Sequence, residues 1–85
     1  MPDEVHISSL VVHSRPGQAQ AVASRLRSLE GVDIHGGVEQ GKLVVTLETQ
    51  SEGEIVERLN RIQTLDGVLA ASLVFHHVEP ALGRG

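Results

Sequence analysis

Leu29-Glu30-Gly31-Val32 and Leu65-Asp66-Gly67-Val68 state one pattern twice, 36 positions apart in a chain of 85 residues. Each copy ends an apolar-periodic segment with a glycine, the residue best suited to follow a helix C-terminus. A chain of this length buries only one modest core, roughly 60–65% of its unfolded surface. The repeat therefore reads as two copies of one small unit sharing a core.

The segments around the repeat complete the two units. Val5 to Val12 read as a first strand, with no charge between Val5 and Arg15 apart from histidine. Ser14, Arg15, Pro16 and Gly17 break it, with Ser14 expected to cap the next helix and Pro16 to sit in its first turn. Ala19, Val22, Ala23, Leu26 and Leu29 then recur at helical spacing. Val32 to Val38 form a weak second strand, and Gly36-Gly37 with Gln40-Gly41 supply turns. Lys42 to Thr49 form a third strand with clear alternation. Ser51-Glu52-Gly53-Glu54 is a capping box, and Ile55, Leu59 and Ile62 follow on one face of a second helix. Glu54 with Arg58, and Glu57 with Arg61, stand four apart in the favourable acid-first order. Gly67 to Glu79 is the longest strand-like run.

The order β-α-β-β-α-β, with right-handed crossovers, builds an α+β ferredoxin-like two-layer sandwich. Its sheet is antiparallel, of order 4-1-3-2, with both helices on one face. A single domain is expected over residues 1–79, followed by a solvated tail over 80–85. This fold hosts many functions and selects none.

Composition narrows the field. The net charge of −4 and the single aromatic residue, Phe75, argue against nucleic acid as the partner. The absence of cysteine excludes disulfides and thiolate metal sites. No apolar run approaches the ~20 residues of a membrane span. Met1-Pro2-Asp3-Glu4 is an acidic start, unlike the basic start of a secretory signal.

Shifting by the 36-residue repeat pairs Ile7 with Leu43 and Val11 with Leu47, and so assigns that parity to the helix-covered side. The opposite face then carries Ser8, Leu10, Val12, Val44, Thr46, Ser72 and Val74, with no third layer to cover it. A bulge after Val68 would reverse the parity. Such a face is either a set of scattered surface aliphatics or a dimer contact, or else a surface for an apolar or amphipathic peptide. The five histidines raise a metal reading. His6 and His76 become neighbours across the first and fourth strands, but two imidazoles make no closed zinc site. They read as strand-end histidines that tune binding near neutral pH. No nucleophile elbow, phosphate loop or carboxylate pair is present, so no enzyme, cofactor or metal is expected.

Ile7-Ser-Ser-Leu-Val-Val-His13, Gly41-Lys-Leu-Val-Val-Thr-Leu-Glu48 and Gly67-Val-Leu-Ala-Ala-Ser-Leu-Val-Phe-His-His-Val-Glu79 resemble the NapD family. The likeness spans Val5 to Glu79. The resemblance implies a cytoplasmic, non-enzymatic assembly chaperone of the periplasmic nitrate reductase. Such a chaperone binds the twin-arginine signal peptide of the catalytic subunit and delays its translocation until cofactor loading is complete. Read from the uncovered face, the residues expected to bind such a peptide are Ser8, Leu10, Val12, Val44, Thr46, Glu48, Ser72, Val74 and His76, with Glu48, Glu79 and Glu4 as candidates to meet the arginines. The peptide is expected either as an amphipathic helix on that face or as a strand added at the edge of the second or fourth strand. The protein is expected as a monomer or weak dimer that makes no membrane insertion and binds no nucleic acid. The alternative is a small metal- or ligand-binding regulatory module of the same fold.

Overall fold

The computed structural model describes residues 4–80. The elements run β1 (Glu4–Ser14), α1 (Ala19–Arg27), β2 (Val32–Gly36), β3 (Lys42–Thr49), α2 (Glu52–Gln63) and β4 (Val68–Pro80). All sheet pairings are antiparallel, in the order β2-β3-β1-β4. The expected fold and strand order are both present. Of the tail expected from residue 80, Pro80 ends β4, and residues 81–85 lie outside the described part.

The repeated pattern has a physical origin in the way both helices end. Ser28 Oγ donates to Arg25 O at 2.7 Å, and Thr64 Oγ1 donates to Arg61 O at 2.9 Å. Leu29 and Leu65 then turn onto the core. Gly31 and Gly67 follow with φ of +83° and +92°. A Cβ at Gly31 would run into the backbone carbonyl oxygen of Glu48, whose N–H donates to Gly31 O at 2.8 Å. At Gly67 a Cβ would stand 2.9 Å from Val22 Cγ2. Only glycine satisfies both the backbone angle and the close approach.

Two local expectations need correction. Ser14 is the last residue of β1, buried, and does not cap α1; Gln18 takes the N-cap position without a side-chain bond. In α2, Ser51 does cap, accepting from Glu54 N at 3.2 Å. Glu54 reaches back to Gln50 N at 3.0 Å, one residue further than a capping box requires. Its carboxylate is thereby taken away from Arg58. Arg58 instead lies 3.6 Å from Glu57 and 3.9 Å from Glu30.

The core lies between the helices and one side of the sheet. Leu10 and Val12 of β1, Leu43, Val45 and Leu47 of β3, and Val22, Ala23, Leu26 and Ile62 of the helices are fully buried. The β1 parity is therefore the reverse of the expected one. The helices of the two units correspond at a spacing of 36, as in Leu26 and Ile62. The strands correspond at 35, as in Ser8 and Leu43 or Leu10 and Val45. One residue fewer separates Ser14 from Ala19 than separates Thr49 from Ile55. Strand side chains alternate with period two, so that single residue turns the whole of β1 over.

Candidate functional site

The sheet side away from the helices is uncovered among the described residues. Its composition follows from the ladder, because directly paired residues share a face. Val11 stands between Val44 and Ser72, Ser9 between Thr46 and Phe75, and Ile7 between Glu48 and His77. Ile7, Ser9, Val11 and His13 are half-buried, since strands flank them on both sides. Val44 and Phe75 are exposed, at 46% and 57%. Ile7 and Val11 of β1, Val44 of β3 and Phe75 of β4 form an apolar strip crossing three strands.

Of the residues expected here, Val44, Thr46, Glu48 and Ser72 lie on this face. Val74 is the extra residue of a β-bulge, skipped in the register between Phe75 and Leu73, and stands 64% exposed. Ser8, Leu10 and Val12 do not belong to the face: each is fully buried under the helices. The parity reversal moved them, and it brought Ile7, Ser9 and Val11 outward in their place. His76 pairs with Ser8 and so lies on the helix side. It is hydrogen-bonded there to buried His6, Nδ1 to Nε2 at 3.0 Å, with the rings stacked at 5.2 Å. Glu4 follows it to that side, 3.5 Å from His6 Nε2. The expected His6–His76 proximity is present. Among the described residues, no three His, Cys, Asp or Glu groups converge to hold a metal ion.

The face missed by the sequence reading is Ile7, Val11, Phe75 and His77. Both parities of β1 carry apolar residues, so alternation alone does not choose between them. The count from strand end to the first helix residue packed on the core, five from Ser14 to Ala19 against six from Thr49 to Ile55, makes that choice, and it is readable only once the structure has fixed where the strands end.

Charge on the face is graded along the strands. Glu48 pairs with Ile7, and Glu79 pairs with Val5, at one end. Lys42 pairs with His13 at the other. His77 Nε2 lies 3.2 Å from Glu79 Oε2, and the Phe75 ring stacks on His77 with centroids 6.2 Å apart. His35 Nε2 and Thr46 Oγ1 share a 2.7 Å hydrogen bond that anchors the β2 side. Beyond Glu48 the sheet end opens into a polar cleft of about 360 Å³, bordered by Glu30, Glu54 and Arg58. An amphipathic segment with one basic end matches this layout better than a small polar substrate does.

Fold and face together define a ferredoxin-like two-layer sandwich with one open sheet surface. Comparison with known proteins makes this specific. The family model described as NapD protein matches residues 5–80, and the chain belongs to the NapD family. A chaperone NapD of Paracoccus pantotrophus is 39% identical over 77 residues, covering 91% of this chain and 68% of that protein. A chaperone NapD of Haemophilus influenzae is 29% identical over 72 residues, covering 84% and 77%. The solution structure of the Escherichia coli Tat proofreading chaperone protein NapD superposes with a TM-score of 0.81. That match has 24% sequence identity and covers 91% of this chain and 82% of that one, and it shares the fold. The family is one of chaperones, not of enzymes.

Proposed function

We propose that this chain binds the twin-arginine signal peptide of the periplasmic nitrate reductase catalytic subunit in the cytoplasm. Binding holds back translocation until the subunit's cofactors are loaded. The observation that carries the reading is the apolar strip of Ile7, Val11, Val44 and Phe75 with Glu48 and Glu79 at one end. A twin-arginine signal peptide has a basic start and an apolar middle, and the strip complements both in order. The naming of the relatives as chaperones supports it, as does the proofreading role named for the Escherichia coli protein.

The apolar segment lies across Val11 and Val44 as an amphipathic helix, while the arginines meet Glu48 and Glu79. Burying on the order of 200–300 Å² of aliphatic surface contributes several kcal/mol at about 25 cal/mol/Å², before ordering costs. The carboxylates set orientation and on-rate more than affinity.

Calorimetric titration with the signal peptide tests the reading. Wild-type protein should bind, and Val44→Glu should weaken binding at least about tenfold, or ~1.4 kcal/mol, with unchanged circular dichroism. Absence of heat at about 500 µM peptide with folded protein would sink the proposal. Unimpaired binding by Val44→Glu would move the site off this face.

A further inference from the structure

The sheet ends in two edges, and among the described residues only one of them is guarded. β2 is five residues long and carries Asp33, both ordinary devices against pairing with another sheet. β4 runs thirteen residues, and no Asp, Glu, Lys or Arg stands between Asp66 and Glu79. Seven large hydrophobic residues are exposed among the described residues, and five of them lie on β4: Leu69, Leu73, Val74, Phe75 and Val78. They sit on both sides of the sheet. Leu73 and Val78 pair with Leu10 and His6, on the helix side, where α2 leaves them 45% and 42% exposed; Phe75 pairs with Ser9 on the open side. A guest on the open face covers only part of this set. A strand laid along the edge covers both sides.

The strand that fits this edge is a second β4. The bulge at Val74 inverts the alternation, so Ala70 and Ser72 take the open side before it, and Phe75 and His77 after it. Consider two antiparallel copies related by a two-fold axis between Leu73 and Val74. Ser72 then meets the second copy's Phe75, Ala70 meets its His77, and Ala71 meets its His76. Open-side residues face open-side residues throughout, and away from the axis each large ring faces a small residue. Sliding one copy by a single residue would set open-side residues against covered ones. No like charges oppose each other along the seam.

We propose that two copies of this chain join through β4, antiparallel about that axis, into one continuous eight-stranded sheet. The contact is isologous and closes on itself. A seam of about 35 Å, at ~3.3 Å per residue, buries less than the ~800 Å² per partner of a standard interface. The dimer is therefore weak, with a Kd on the order of 100 µM. The proposal does not rest on the signal-peptide reading.

Sedimentation equilibrium of the full chain from about 10 µM to about 1 mM tests it, with a monomer–dimer transition as the expected result. Val74→Lys, at a side chain with no β1 partner, should raise the Kd at least about tenfold, whereas Val44→Lys should leave it within about twofold. The chain has no cysteine, so Val74→Cys supplies a lone thiol beside the axis. Oxidation should link it into a covalent dimer, while Val44→Cys stays monomeric. A wild-type protein still monomeric at about 1 mM overturns the proposal. So does a dimer lost in Val44→Lys but kept in Val74→Lys, which would mean face-to-face stacking. A signal peptide that dissolves the dimer and protects the β4 amides from exchange would assign the edge to a guest strand instead.

Discussion

Neighbouring residues of β1 have opposite fates. Leu10 is fully buried beneath the helices, while Val11 faces the open side between Val44 and Ser72. Leu10→Ala should cost about 2–5 kcal/mol in chemical denaturation, because it leaves a cavity in a small core. Val11→Glu should cost less than Leu10→Ala and abolish most peptide binding, because at this half-buried, open-side position the carboxylate still reaches water until the guest arrives. The reverse outcome would restore the parity taken from the repeat. Gly31 is a third kind of position, where a methyl group fits neither the positive φ nor the adjacent Glu48 carbonyl. Gly31→Ala should destabilise by at least about 1 kcal/mol, read as a lower denaturation midpoint with unchanged slope. The need for glycine there was legible in the sequence, because a helix stop demands it. The approach to Glu48 was not, because it joins segments far apart in the chain.

The elements differ in how locally they are specified. β3 alternates cleanly and runs over the expected Lys42–Thr49. α2 carries its own start signal, with Ser51 accepting from Glu54 N and acidic Glu52 and Glu54 in the first turn. Ser51→Ala should therefore lower stability by about 1 kcal/mol, measurable by thermal or denaturant unfolding. α1 has no such signal: Gln18 makes no side-chain cap and no acidic residue lies in its first turn. Its position is set by packing of Val22, Ala23 and Leu26 on the sheet. This is why α1 starts at Ala19, three residues beyond Pro16, and not with the proline in its first turn. β4 is specified by composition but not by register, since its two irregularities, near Leu69 and at Val74, leave no periodic mark.

For the molecule as a whole, charge placement matters more than net charge. The formal charge of −4 is small, but Glu48 and Glu79 sit at one end of the open face and Lys42 at the other. Raising ionic strength from about 50 to about 500 mM should slow association of the signal peptide several-fold and leave dissociation nearly unchanged, because screening acts on steering more than on the docked apolar contact. Stopped-flow fluorescence with a labelled peptide checks this. An equal change in both rates would place the carboxylates inside the bound contact rather than beside its entrance.

The sequence by itself determined the order of elements, the two-unit architecture and the strand order. Helix periodicity, turn glycines and the handedness of crossovers are local or general constraints, and a chain of this length has few ways to satisfy them together. Tertiary structure alone decided which side of β1 meets the helices, and with it which aliphatics are core and which are surface. That choice depends on how one residue's difference in a connecting turn is absorbed when two helices dock on a common sheet. Both sides of β1 are apolar enough to be buried, so hydrophobicity could not make the choice.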